Sequence, residues 1–167
     1  MGAMATEAWQ RGPVPGFDPY LMPVVHALQQ VQEDVDALAA EVTHEQLWTS
    51  PGRAAPIGFH LRHIAGSTER LLTYARGEAL TAAQLASARR ESLETPTADV
   101  VVAEVREAIG RALDQVRATP RDTLLTERKV GRAGLPSTTL GLLFHAAEHA
   151  TRHAGQAITT AKALGLF

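Results

Sequence analysis

Histidines at 145, 149 and 153 follow one another at four-residue steps in the stretch LGLLFHAAEHATRHAGQAITT, Leu140 to Thr160. On a helix each such step overshoots a full turn by only about 40°, so the imidazoles lie along one face and adjacent pairs can converge on one ion. A second pair, His60 and His63, stands far upstream in FHLRH. Two such clusters in separate segments make the halves of a site for a divalent metal. Neutral imidazoles leave the ion's charge uncompensated, and three of them leave coordination positions free. Water held there becomes acidic enough to act as a nucleophile, and a thiol held there becomes a thiolate. Metal-assisted hydrolysis and thiol transfer are therefore the two chemistries this pattern suits. The chain has no paired carboxylates, no Ser-His-Asp arrangement and no glycine-rich phosphate loop, so no catalytic residue is assigned beyond the candidate ligands.

The other polar residues near these histidines have plainer readings. His26 has no His, Asp or Glu at the fourth position after it, and His44 falls where the first helix frays. Glu148 is about 100° round the helix from His149, and its natural partner is Arg152 in an exposed pair. Gln156 can orient a ligand or a water, or simply pack. Ser67 and Thr68 read as helix residues rather than nucleophiles.

The elements that must position these side chains are helices. Leu21, Val24, Val25, Leu28, Val31, Val35, Leu38 and Val42 recur at threes and fours and predict a first long helix over 18–42. The stretch from Thr43 to Pro56 reads as a loop anchored by Trp48. A second long helix runs over 56–76 through Ile57, Leu61, Ile64, Leu71 and Leu72 to Gly77. Thr81 and Gln84 form a capping box that opens a shorter helix to about Arg90. A third long helix, capped by Thr97 or Asp99, carries Val101, Val102, Val105, Ile109, Leu113 and Val116 to about Ala118. Residues 121–137 form a long connection across one end, and a fourth long helix extends to about Leu164 before Gly165. No strand pattern is evident. The sum is an all-α, four-helix bundle with a short additional helix between the second and third long helices.

Composition agrees with one such unit. With 167 residues, 45% of them hydrophobic, the chain can bury a substantial core. Residues 17–167 are expected to form a single domain. Residues 1–16 are expected to be a cloning scar, Met1 to Ala3 ahead of a native Met4, followed by an extended Gly- and Pro-rich arm. A net charge of -2 gives no footprint for nucleic acid. The absence of cysteine removes disulfides, thiolate ligands and a cysteine nucleophile together. No apolar run approaches the roughly 18–20 residues that cross a bilayer, and no signal sequence is visible, so a cytoplasmic protein without a membrane partner is the default.

A helical wheel separates the histidines. On the fourth long helix Leu140, Leu143, Ala147, Ala150, Ala154, Ile158 and Ala161 form the apolar arc, and His149 and His153 flank it. On the second, His60 falls close to the arc and His63 on its edge. Ligands on the rim of a groove leave one side of an ion open, which favours His63, His149 and His153 and leaves His60 as a packed residue. His60 and His145 remain able to replace a ligand or to support one.

The segments FHLRHIAGSTERLLTYARGE and LLFHAAEHATRHAGQ, which bracket most of the chain, resemble the DinB/YfiT-like superfamily. The resemblance implies a four-helix bundle, commonly homodimeric, in which three histidines hold a divalent metal such as nickel or zinc, with manganese a further alternative. His63 of RHIAG and His149 and His153 of EHATRHAGQ match the ligand positions. It further implies a small-molecule substrate, in some members with a low-molecular-weight thiol as cosubstrate. Three classes thus stand: a metal-dependent hydrolase or thiol S-transferase, a binding bundle without turnover, and a structural dimerisation module.

Overall fold

The computed structural model describes residues 6–93 and 95–166. The expected scar at residues 1–3 lies outside them. Six helices and one two-stranded hairpin are present among the described residues: α1 (Met22–Glu41), α2 (His44–Trp48), α3 (Ile57–Ala75), α4 (Ala82–Arg90), α5 (Ala98–Ala118), β1 (Glu127–Val130), β2 (Leu135–Thr138) and α6 (Thr139–Ala163). The long helices α1, α3, α5 and α6 are the bundle.

Local chemistry marks several of the helix ends, although Thr97, which precedes α5, makes no side-chain capping bond. Ahead of α1, the Asp18 side chain accepts from Tyr20 N and caps a 3-10 turn at Pro19–Leu21. Pro23 then occupies the first turn of α1, where its missing amide costs nothing. Gly77, at φ 80°, ends α3 in a left-handed conformation that glycine adopts freely. The Thr81 and Gln84 side chains cap α4 reciprocally. Thr138 accepts from Gly141 N and opens α6.

The bundle closes on one hydrophobic cluster. Val25, Leu28, Val31 and Val35 of α1 meet Ile57, Leu61 and Ile64 of α3, Val101 and Val105 of α5, and Leu143 and Ala150 of α6, all essentially inaccessible. Each buried Val, Leu or Ile contributes about 1.5–3 kcal/mol. Helix α3 packs on α5 and α6, and α1 packs on the same two, so α1 and α3 face each other across a diagonal, as do α5 and α6. No helix among the described residues is long and apolar enough to cross a membrane.

Two segments differ from the sequence expectation. The loop expected after α1 contains helix α2, opened by a capping box in which Thr43 and Gln46 satisfy each other's backbone amides. The long connection expected as irregular contains an antiparallel hairpin, with Glu127 opposite Thr138 and Val130 opposite Leu135. Gly131 and Gly134, at φ 66° and 60°, turn the chain between the strands. The hairpin is tied to the end of α3 by Arg128 Nε, which donates to the Ala75 carbonyl at 2.7 Å. Within the N-terminal arm, Ala8–Arg11 forms a 3-10 turn along α1, with Ala8 N donating to Gln30 Oε1 at 2.9 Å.

Candidate metal centre

Helix α6 presents alanines to α3. Ala146, Ala147, Ala150, Ala154 and Ala157 are buried, and such short side chains let the two axes approach closely. The rims of that contact carry longer residues. His149 and His153 sit on the α6 edge, half-buried, opposite His60 and His63 of α3. The helices run antiparallel here, so His60 meets His153 and His63 meets His149.

His63, His149 and His153 each bring a ring nitrogen to one place, with those atoms within 4.8 Å of one another. Ring centroids of His153 lie 4.5 Å from His63 and 4.6 Å from His149. His63 Nε2 and His149 Nε2 face each other at 3.0 Å. Two nitrogens bound to one ion at about 2.0–2.1 Å each are about 3–3.4 Å apart, so the pair already has the spacing a shared ion requires. An imidazole set also has the borderline softness that suits zinc and nickel. The residues fit such an ion, and His63, with its side chain 23% exposed, leaves the site an open side.

The electrostatics favour neutral imidazoles. Burial, followed by the neighbouring His63, His149 and His60, pushes His153 down to about 4. Burial and then His63 lower His149 as well, with His145 and Arg152 adding to the effect and Glu148 opposing it. His60 is lowered by burial first and by His63 second. A neutral ring is the form that can donate a lone pair to a metal.

All three residues expected from the sequence are brought together. His60, 6% exposed, is the packed histidine, its Nδ1 3.0 Å from Nδ1 of His153. His145 is exposed and outside the trio, its ring 5.5 Å from that of His149 and its Nδ1 3.2 Å from Glu148 Oε2. Glu148 pairs with Arg152, as the spacing implies. His26 Nε2 lies 2.9 Å from the Gly12 carbonyl and fastens the arm, while His44 opens α2 instead of fraying from α1.

Two neighbours were not foreseen. Glu91, immediately after α4 and 4% exposed, places Oε2 2.8 Å from His63 Nδ1. Phe59 stacks on His63 with ring planes 15° apart. For Phe59 the four-residue step to His63 was readable on the helix; for Glu91 no spacing signal exists. Beside the cluster a surface groove of ≈ 620 Å³ is lined by Ala55, His60, Arg152, Gln156 and Thr159 among others, which puts Gln156 on a groove wall.

Residues 27–157 match the sequence profile described as the DinB superfamily. No curated protein matches the chain. A conserved protein from Enterococcus faecalis superposes with a TM-score of 0.72 at 14% identity, over 87% of this chain and 97% of the other. A DinB-like protein from Bacillus cereus gives 0.63 at 17% identity, over 84% and 91%. A protein described as a DinB family member from Exiguobacterium sibiricum gives 0.70 at 16% identity, over 90% and 99%. At these identities the three share the fold with this chain.

Proposed function

The chain belongs to the DinB superfamily, and from that premise we propose that it binds a divalent metal and acts as a metal-dependent enzyme, a hydrolase or a low-molecular-weight-thiol transferase. The observation that carries the reading is the convergence of nitrogens from His63, His149 and His153 within 4.8 Å. These residues would hold the ion, nickel or zinc in preference to manganese because the donors are imidazoles. When bound, the ion supplies a Lewis acid that acidifies water or a thiol and polarises an electrophile.

The protein's own residues do the rest. His63, His149 and His153 hold their lone pairs on one side and leave the other open to solvent. Phe59 covers one face of His63 and limits water there. The groove beside His60 offers a small-molecule substrate a wall of mixed polarity, with the Arg152 cation and the Gln156 amide. Because the chain has no cysteine, a thiol has to arrive as a cosubstrate. The protein is proposed to be cytoplasmic, and the family resemblance suggests that it works as a homodimer.

Metal analysis tests the first half. Protein loaded with zinc or nickel and desalted should retain about one ion per chain. His149→Ala and His153→Ala should lose most of the affinity, and His26→Ala should keep it. Equal retention by all three variants would rule the site out. The second half needs a paired screen of ester or amide hydrolysis and of thiol transfer on the loaded protein. Turnover that survives in His149→Ala would show that the reaction belongs to another site.

A further inference from the structure

His63 makes a contact with each ring nitrogen. Nε2 faces His149 Nε2 at 3.0 Å, and Nδ1 lies 2.8 Å from Glu91 Oε2. A neutral imidazole has a single N–H, and an ionised carboxylate can only accept. The Arg70 guanidinium donates to Glu91 Oε1, an ion pair that keeps the carboxyl in its acceptor form. The His63 proton is therefore on Nδ1, and the Nε2 lone pair is turned into the cluster.

We propose that Glu91 is a positioning residue that locks the tautomer and orientation of His63, and that Gly66 is a glycine in order to admit it. The purpose of the lock rests on the metal-binding reading above; its geometry does not. Glu91 reaches α3 from the turn after α4 and uses both oxygens on that helix. Oε2 takes His63, and Oε1 accepts from Arg70 Nη1 at 2.6 Å. His63 and Arg70 are seven residues apart, about two turns, so they share a face, and Gly66 lies between them.

A Cβ on Gly66 would stand 2.2 Å from Glu91 Oε1 and 2.7 Å from Arg70 Nη1, closer than non-bonded contacts of a Cβ come. Glycine inside a helix weakens it relative to alanine. At Gly66 the space so left is filled by the carboxylate and the guanidinium. With both oxygens engaged, Glu91 supports a ligand from behind and does not become one. The open side of the cluster stays open, and the negative charge behind His63 makes its Nε2 a better donor.

Gly66→Ala tests this without removing a charge. The new methyl displaces the tips of two flexible side chains and leaves the helix with a better helix former. Nitrogen-15 NMR of the metal-free protein at neutral pH should show His63 as the Nδ1–H tautomer in the parent, and a shift toward Nε2–H in Gly66→Ala and Glu91→Ala. Zinc affinity, read by competition with a chelating dye, should fall about 10–100-fold in both. Glu91→Gln, whose amide oxygen still accepts, should recover part of the loss. Gly66→Ala should keep a single cooperative thermal transition above the assay temperature, which separates positioning from loss of the fold. A His63 that keeps the Nδ1–H tautomer in both variants would overturn the proposal. Failure of the parent itself to bind zinc would sink the metal reading, and the tautomer result would still decide the role of Glu91.

Discussion

Asp34, on the half-buried flank of α1, is held above the usual carboxylate range by burial first, with the Glu33 and Glu7 charges adding to it and the Gln30 amide opposing at 2.8 Å. A carboxyl raised in the folded state makes the fold less stable as pH climbs from the unfolded value through the folded one, because the charged form is the disfavoured one. Asp34→Asn removes that dependence and keeps an oxygen for Gln30. Its urea midpoint should exceed the parent's at pH 7, and the advantage should vanish below the ordinary aspartate range. An advantage of the same size at low pH would mean that charge is not the cause. At this scale the candidate ligands were legible, since His149 and His153 declare themselves by a four-residue step and His63 by its place on the edge of an apolar arc. Glu91 was not. It is 28 residues beyond His63, past a separate helix, and nothing in helical periodicity connects a turn residue to a side chain on another element.

At the scale of elements, two glycines inside long helices make a contrasting pair. A Cβ on Gly58 would meet the Trp48 ring at 2.6 Å, and that ring is fixed by its Nε1 donating to the Pro96 carbonyl at 3.0 Å. Trp48 can yield only by disturbing that hydrogen bond, so Gly58→Ala should cost about 1–3 kcal/mol. A Cβ on Gly110 of α5 meets nothing within 4 Å, and Gly110→Ala should stabilise by about 0.5–1 kcal/mol through helix propensity. Urea midpoints moving in opposite directions for the two variants check both expectations; a loss at Gly110 would show that the local backbone cannot accept a side chain. The long helices were readable because their apolar residues repeat over many turns. Helix α2 was readable too, in the Thr43 and Gln46 capping box, but its five residues are too few to show a period. The hairpin had no such signal. Its strands are four residues each and carry Arg128, Lys129 and Pro136, so the backbone pairing and the Arg128 tie to α3 define it instead of an alternation of apolar side chains.

The order of helices around the bundle belongs to the whole molecule, and connection lengths did not determine it. It follows from which apolar faces meet: α3 lies between α5 and α6, so the two halves of the candidate centre come from the second and fourth long helices, with α1 across the diagonal. A metal held by His63 and His149 would therefore join segments 86 residues apart and exist only in the folded chain. Anything that binds the folded state alone stabilises it in proportion to the logarithm of its concentration over its dissociation constant, about 2.7 kcal/mol at a hundredfold excess. For a domain of this length each kcal/mol moves the midpoint by about 2–4 °C, so saturating zinc should raise the thermal midpoint by about 5–10 °C. Chelator should reverse the shift. His26→Ala, which loosens only the arm, should retain it in full relative to its own metal-free form, and His149→Ala should lose it. An equal zinc shift in His149→Ala would mean that the ion binds elsewhere, and that the α3–α6 contact is held by its alanine packing alone.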